Sequence, residues 1–142
     1  MLNFTSCMLG DDLSGNVDTG SIALKSYNMK FTQNSTWSIK STTGSINADI
    51  LQYIDTGADI IGSIELTTGS IDVIYSDNQA NVGASFTSST TTGSIYYTNV
   101  GIGGFSEAGS LFSSLDYLTA NNTFKFTLST TTGNVEVYGE SA

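Results

Sequence analysis

Apolar and polar residues alternate with a period of two around a short phrase that returns five times along the chain. The phrase reads Asp18-Thr-Gly-Ser-Ile22, Thr42-Thr-Gly-Ser-Ile46, Thr67-Thr-Gly-Ser-Ile71, Thr91-Thr-Gly-Ser-Ile95 and Thr131-Thr-Gly-Asn-Val135. Two residues after its glycine lie Ile22, Ile46, Ile71, Ile95 and Val135, and four after it lie Leu24, Ala48, Val73, Tyr97 and Val137. Five residues before the glycine come Ile39, Ile64, Ser88 and Leu128, and seven before it Trp37, Gly62, Phe86 and Phe126. Ser, Thr, Asn, Asp and Glu fill much of the space between. A half-buried strand needs this period, because successive side chains point to opposite faces. Each unit is therefore predicted as strand, Thr-Thr-Gly corner, strand. Glycine takes positive φ without steric cost, and the β-branched Thr and Ile beside it favour extended backbone.

The marker glycines Gly20, Gly44, Gly69, Gly93 and Gly133 are separated by 24, 25, 24 and 40 residues. A fixed period of this order marks stacked units, none of which buries a core alone. A β-solenoid and an antiparallel sandwich of three-residue hairpins both suit the unit. The near-constant interval favours the solenoid, and so does Gly57, which lies midway between Gly44 and Gly69 as a second corner would. The expected fold is all-β: a β-solenoid-like rack of stacked short strands with Thr-Thr-Gly corners, one domain over residues 1–142. Ile46, Ile71, Ile95 and Val135 should form one buried ladder. The long interval is read as a non-repeat insertion near residues 99–122 that caps one end of the stack, where an open sheet edge needs blunting. Within it, Ser110 to Tyr117 has room for two helical turns.

Composition narrows the function classes. Thirteen acidic residues face four lysines, with no Arg or His, for a formal charge of −9. Phosphate binding needs clustered cations, so nucleic acid is not an expected partner, and anionic membrane surfaces are disfavoured. No segment reads as a signal peptide or as a span for direct membrane insertion. The lone Cys7 can form no internal disulfide, and Phe4-Thr-Ser-Cys7 lacks the apolar and basic segments that a lipidation signal needs before it. Without His and with one Cys there is no Ser-His-Asp or Cys-His arrangement, no ordinary zinc site, and no cofactor is expected. Lys25, Lys30, Lys40 and Lys125 are scattered, which argues against a polysaccharide-cleaving site.

The phrases Ile61-Gly-Ser-Ile-Glu-Leu-Thr-Thr-Gly-Ser-Ile-Asp-Val73 and Phe126-Thr-Leu-Ser-Thr-Thr-Thr-Gly-Asn-Val-Glu-Val137 resemble the toast-rack, or putative-adhesin, domains of bacterial and archaeal cell-envelope proteins. The resemblance covers most of residues 14–138 outside the insertion. It implies a rack of short strands, a place at the cell surface or envelope with anchoring segments absent from this chain, and protein or glycan partners there. It brings no catalytic residues with it. The expected role is a non-enzymatic structural scaffold or adhesin-like binding module.

Three alternatives rest on particular residues. Tyr53-Ile-Asp-Thr-Gly-Ala-Asp59 resembles the catalytic loop of retroviral-type aspartic proteases, and Gly101-Ile-Gly-Gly-Phe105 resembles their flap tip. Such an enzyme would need Asp55 from two chains to share a proton at a dimer axis. Against it, the second such triplet, Asp18-Thr-Gly, fills a slot that holds Thr in the other repeats. Two repeat units also separate Asp55 from Gly101, and the apolar-apolar-Gly segment that those enzymes place behind the loop has no counterpart. A calcium-binding module could use Asp72 and Asp77 with Asn78 and Asn81, or Asp55 with Asp59, though at no EF-hand spacing. A glycan-binding module could use exposed rings. Parity sends Tyr96 and Tyr138 outward, and Tyr75 and Tyr97 inward. Asn3, Asn34 and Asn121 open sequons that permit glycosylation.

Overall fold

The computed structural model describes residues 2–5, 8–9, 12–77, 82–100 and 104–141, with side chains described from residue 12 onward. Cys7, Asn78, Asn81 and residues 101–103 of the glycine-rich run lie outside these ranges. The chain forms β1 (Leu2–Thr5), β2 (Met8–Leu9), β3 (Leu13–Thr19), β4 (Ile22–Tyr27), β5 (Lys30–Phe31), β6 (Ser35–Gln52) and β7 (Ile60–Asp77). It continues with β8 (Val82–Thr92), β9 (Ile95–Asn99), β10 (Phe105–Ala108), β11 (Leu111–Ser114), β12 (Asn122–Thr132) and β13 (Val135–Glu140). Among the described residues there is no helix, so none could cross a membrane; this says nothing about spanning by strands. The stretch from Ser110 to Tyr117, where the sequence left room for a helix, forms β11 and a following turn. Phe112 and Ser114 point inward there while Leu111 is exposed, which is strand parity.

Strand, bend, strand is the unit, as the pattern predicts. In β6 and β7 the strand runs through its Thr-Thr-Gly without a break, and each is 18 residues long. Their pairing stays in register across the bend, with Thr43 beside Thr68, Gly44 beside Gly69 and Ile46 beside Ile71. All coil-to-coil pairs are parallel. The two halves of each coil make two layers joined at the bends, a first layer before the glycine and a second after it. The core lies between them: Ile46, Ile71 and Val135 are fully buried, while Ile95, at the end of the ladder, is partly buried against it.

The coils are not stacked in chain order. β12 pairs with β7 on one side and β8 on the other, and β13 lies between β7 and β9 in the same way. The spatial order of the marker glycines is therefore Gly20, Gly44, Gly69, Gly133, Gly93. After β9 the chain builds the β10–β11 hairpin, which pairs antiparallel on the outer edge of β8. It then returns to fill the gap beside β7. Phe105 and Phe112 of the hairpin close the core, stacked at 4.7 Å, and Phe112 also stacks on Tyr97 at 4.8 Å. The insertion caps one end, and it also lets the last coil enter the middle of the stack.

Candidate functional site

The bends decide what the surface can offer. Gly20, Gly44, Gly69, Gly93 and Gly133 have φ of +130°, +139°, +132°, +148° and +139°, a region essentially reserved for glycine. Stacking adds a second demand. A Cβ on Gly44 would lie 1.8 Å from the Gly20 carbonyl oxygen, and one on Gly69 would lie 1.6 Å from that of Gly44. The coils are thus in van der Waals contact along a glycine column. Beside it, the hydroxyls of Thr90 and Thr130 donate to the carbonyls of Gly133 and Gly69 at 2.9 Å and 3.3 Å.

Just before the column, on the outer side of the first layer, a groove of about 510 Å³ crosses all five coils. One bank carries Asp18, Thr42, Thr67, Thr131 and Thr91; the other includes Lys40 and Glu65, paired at 3.0 Å. Glu65 also accepts a hydrogen bond from Ser63 at 3.1 Å. The hydrogen bond from Lys40, then that from Ser63, hold the Glu65 carboxyl below its ordinary value. The four threonine hydroxyls on the first bank make no hydrogen bond within the protein among the described residues, so they are available to a ligand.

The outer side of the second layer differs. Tyr96 and Tyr138 point outward, 51% and 37% exposed, while Tyr75 is buried and Tyr97 is half-buried, as parity predicts. Asp72 and Glu136 sit side by side in register on β7 and β13. Partial burial, and then the neighbouring Glu136 charge, push the Asp72 carboxyl above its ordinary value. Tyr138 donates to Glu136 at 3.1 Å.

Of the acidic residues singled out for catalysis or calcium, Asp55, Asp59 and Asp77 are engaged in structure. Asp55 is exposed; its carboxylate accepts from the Gly57 N–H at 2.9 Å and from the Asn122 amide at 2.7 Å, closing the turn after β6. Asp59 accepts from the Thr123 N–H at 2.9 Å, and its own N–H donates to Asn34 at 3.0 Å. Such rung-to-rung bonds recur, with Asp12 accepting from the Thr36 N–H at 2.8 Å and Asn28 from that of Tyr53 at 2.7 Å. They satisfy backbone donors where the strands begin and end. Asp77 is buried and accepts from Tyr75 at 3.0 Å and Ser141 at 2.7 Å. Asp72 faces outward on the same strand, so parity separates it from Asp77. Among the described residues no cluster of three or more His, Cys, Asp or Glu is placed to hold a metal ion. Asp18 lies on the groove bank in the slot that Thr fills elsewhere.

No protein-family model matches the chain, and no curated protein matches it. The fold does match a solved structure, that of a "putative cell adhesion protein" from Clostridium sporogenes ATCC 15579. The TM-score is 0.61 at 9% identity, covering 97% of this chain and 93% of that one. The rack architecture is shared across the whole length at an identity where only the fold is comparable.

The groove was not singled out by sequence reasoning, although its signal was present. Thr recurs two residues before four of the five marker glycines, at positions the alternation sends outward. What the pattern lacked was the curvature that turns a row of threonines into a channel.

Proposed function

We propose that the chain is a non-enzymatic scaffold of the cell surface that binds an extended partner, protein or glycan, along the groove of the first layer, as an adhesin-like module. The groove carries this reading. It crosses every coil, the hydroxyls of Thr42, Thr67, Thr91 and Thr131 on its first bank have no partner among the described residues, and its floor is held rigid by in-register pairing, so little ordering is lost on binding. The fold shared with a protein described as a putative cell adhesion protein supports the same role. So does the Asp55 carboxylate, which closes a turn within its own chain.

A glycan array and a panel of envelope proteins, each probed with the wild-type chain and a Thr67→Lys/Thr131→Lys variant, test the reading. Both sites are exposed, so the variant should fold normally and lose binding by about tenfold or more, the scale of an interface hot spot. Binding that ignores the variant would overturn it. A peptide library incubated at mildly acidic to neutral pH should remain intact. Cleavage that Asp55→Asn abolishes would establish the protease instead.

A further inference from the structure

The second layer presents an outer face that the groove reading does not use. It carries Asp49, Asp72, Glu136 and Glu140 against one lysine, Lys25, which already lies 3.9 Å from Asp49. Like charges directly opposite each other on paired strands are destabilising, yet Asp72 and Glu136 are in register with no basic side chain in ion-pair range among the described residues. Around this pair the face is apolar and aromatic. Tyr96 is in register with Glu136, Ile74 with Tyr138, and all three apolar side chains are substantially exposed. The Tyr138 hydroxyl is anchored on Glu136, which fixes one ring beside the carboxylates.

We propose that this face docks a cationic, extended protein segment, whose Arg or Lys heads meet Asp72 and Glu136 and lie over the rings of Tyr96 and Tyr138. The chemistry is complementary at each point. Two adjacent carboxylates accept the fork of a guanidinium and lose their mutual repulsion when it arrives. Tyrosine faces attract a cation through their quadrupole. Ile74 gives the aliphatic stem of the incoming side chain an apolar surface to cover. The strands beneath are paired on both sides in β7 and β13, so the constellation is preorganised. This site lies on the layer opposite the groove, and neither depends on the other.

The probe is a dodecapeptide of alternating Arg and Ser, titrated by calorimetry into the full chain at physiological salt. The Asp72→Asn/Glu136→Gln variant should weaken binding about tenfold or more, and Tyr96→Ser about threefold, as for close charge pairs and a lost cation–π contact. Asp18→Asn/Glu107→Gln removes the same charge elsewhere and should change affinity by less than about twofold, the effect expected of remote screened charges. Thr67→Lys/Thr131→Lys in the groove should also retain binding, since its lysines lie on the other layer. Cooperative melting at or above the wild-type temperature would show that the variants are folded. Equal losses in the two charge-matched pairs would reduce the effect to attraction by the net charge of −9 and overturn the proposal. No binding by the wild type would overturn it, as would oligoglucosamine binding more tightly than the peptide.

Discussion

At the scale of single residues the glycine column does two separable things. Every marker glycine needs positive φ, but only those with a coil beneath them also need the absence of a Cβ for contact. Gly20 stands at the end of the column, where a Cβ would meet nothing nearer than Val17 at 3.8 Å. Gly20→Ala should therefore cost only backbone strain, about 1–3 kcal/mol. Gly69→Val adds a collision with Gly44 and should cost clearly more, about 4 kcal/mol or above, the range reserved for such mechanisms. The exposed Thr68→Ser should stay within about 0.5 kcal/mol. Chemical denaturation of the three variants checks the order. Ile71, buried with neighbours above and below, should lose about 2–5 kcal/mol on replacement by Ala. Wild-type stability in that variant would contradict the ladder.

At the scale of elements, the pairing of strands explains residues that look misplaced in the repeat. Gly62 sits in a column between Trp37 and Phe126, with Leu13 and Phe86 beyond them, and a Cβ there would come within 2.1 Å of the Phe126 ring. The missing side chain lets Trp37 and Phe126, which belong to coils on either side, meet edge to face at 5.9 Å. The β7–β13 pair carries the opposite kind of feature, a cost. Asp72 holds its proton more tightly folded than unfolded, because burial and Glu136 both oppose its charge. Its contribution therefore favours the folded state most below the ordinary value of 3.8, and is lost as pH rises through the raised folded value. Asp72→Asn should raise the melting temperature at neutral pH, with the gain shrinking in acid. A gain independent of pH would remove the electrostatic cause. Glu65 runs the other way. Lys40 and Ser63 lower its value, so its small contribution is present above 4.5 and fades as pH falls through the lowered folded value.

For the whole molecule, the order of coils makes the last one indispensable. In a rack stacked in chain order, removing the final coil would trim an end and leave the rest paired. Here β12 and β13 bridge β7 to β8 and β9, and among the described residues β9 has no strand partner but β13. A chain ending at residue 121 should therefore lose the ordered structure of β8 to β11 as well, and retain at most the coils of Gly20, Gly44 and Gly69. Hydrogen exchange on the truncated protein reads this directly. Protection persisting through β8 and β9 would contradict the interleaved order. The same topology forces long sequence separations between contacting strands, so folding should be slow for a domain of this size.

Much of this architecture follows from the sequence alone. The alternation around each Thr-Thr-Gly specified strands, bends and the inward ladder, because period two assigns a face to every residue and only glycine suits the bend. It also sent Tyr96 and Tyr138 outward and Tyr75 inward. Which coil lies beside which was not legible, because the five repeats are nearly equivalent and any of them could stack on any other. Tertiary structure resolved that degeneracy through the hairpin on β8 and the space it leaves for β12. It also gave particular residues their roles. Asp55 and Asp59, in a phrase resembling a catalytic loop, became hydrogen-bond acceptors between turns and neighbouring coils. The column of threonines became a groove, and Asp72 met Glu136 across a strand pair whose partners lie 64 residues apart in the chain. Face is a local property of strand geometry and can be read from a pattern, whereas adjacency across a sheet is set by how the whole chain closes its core.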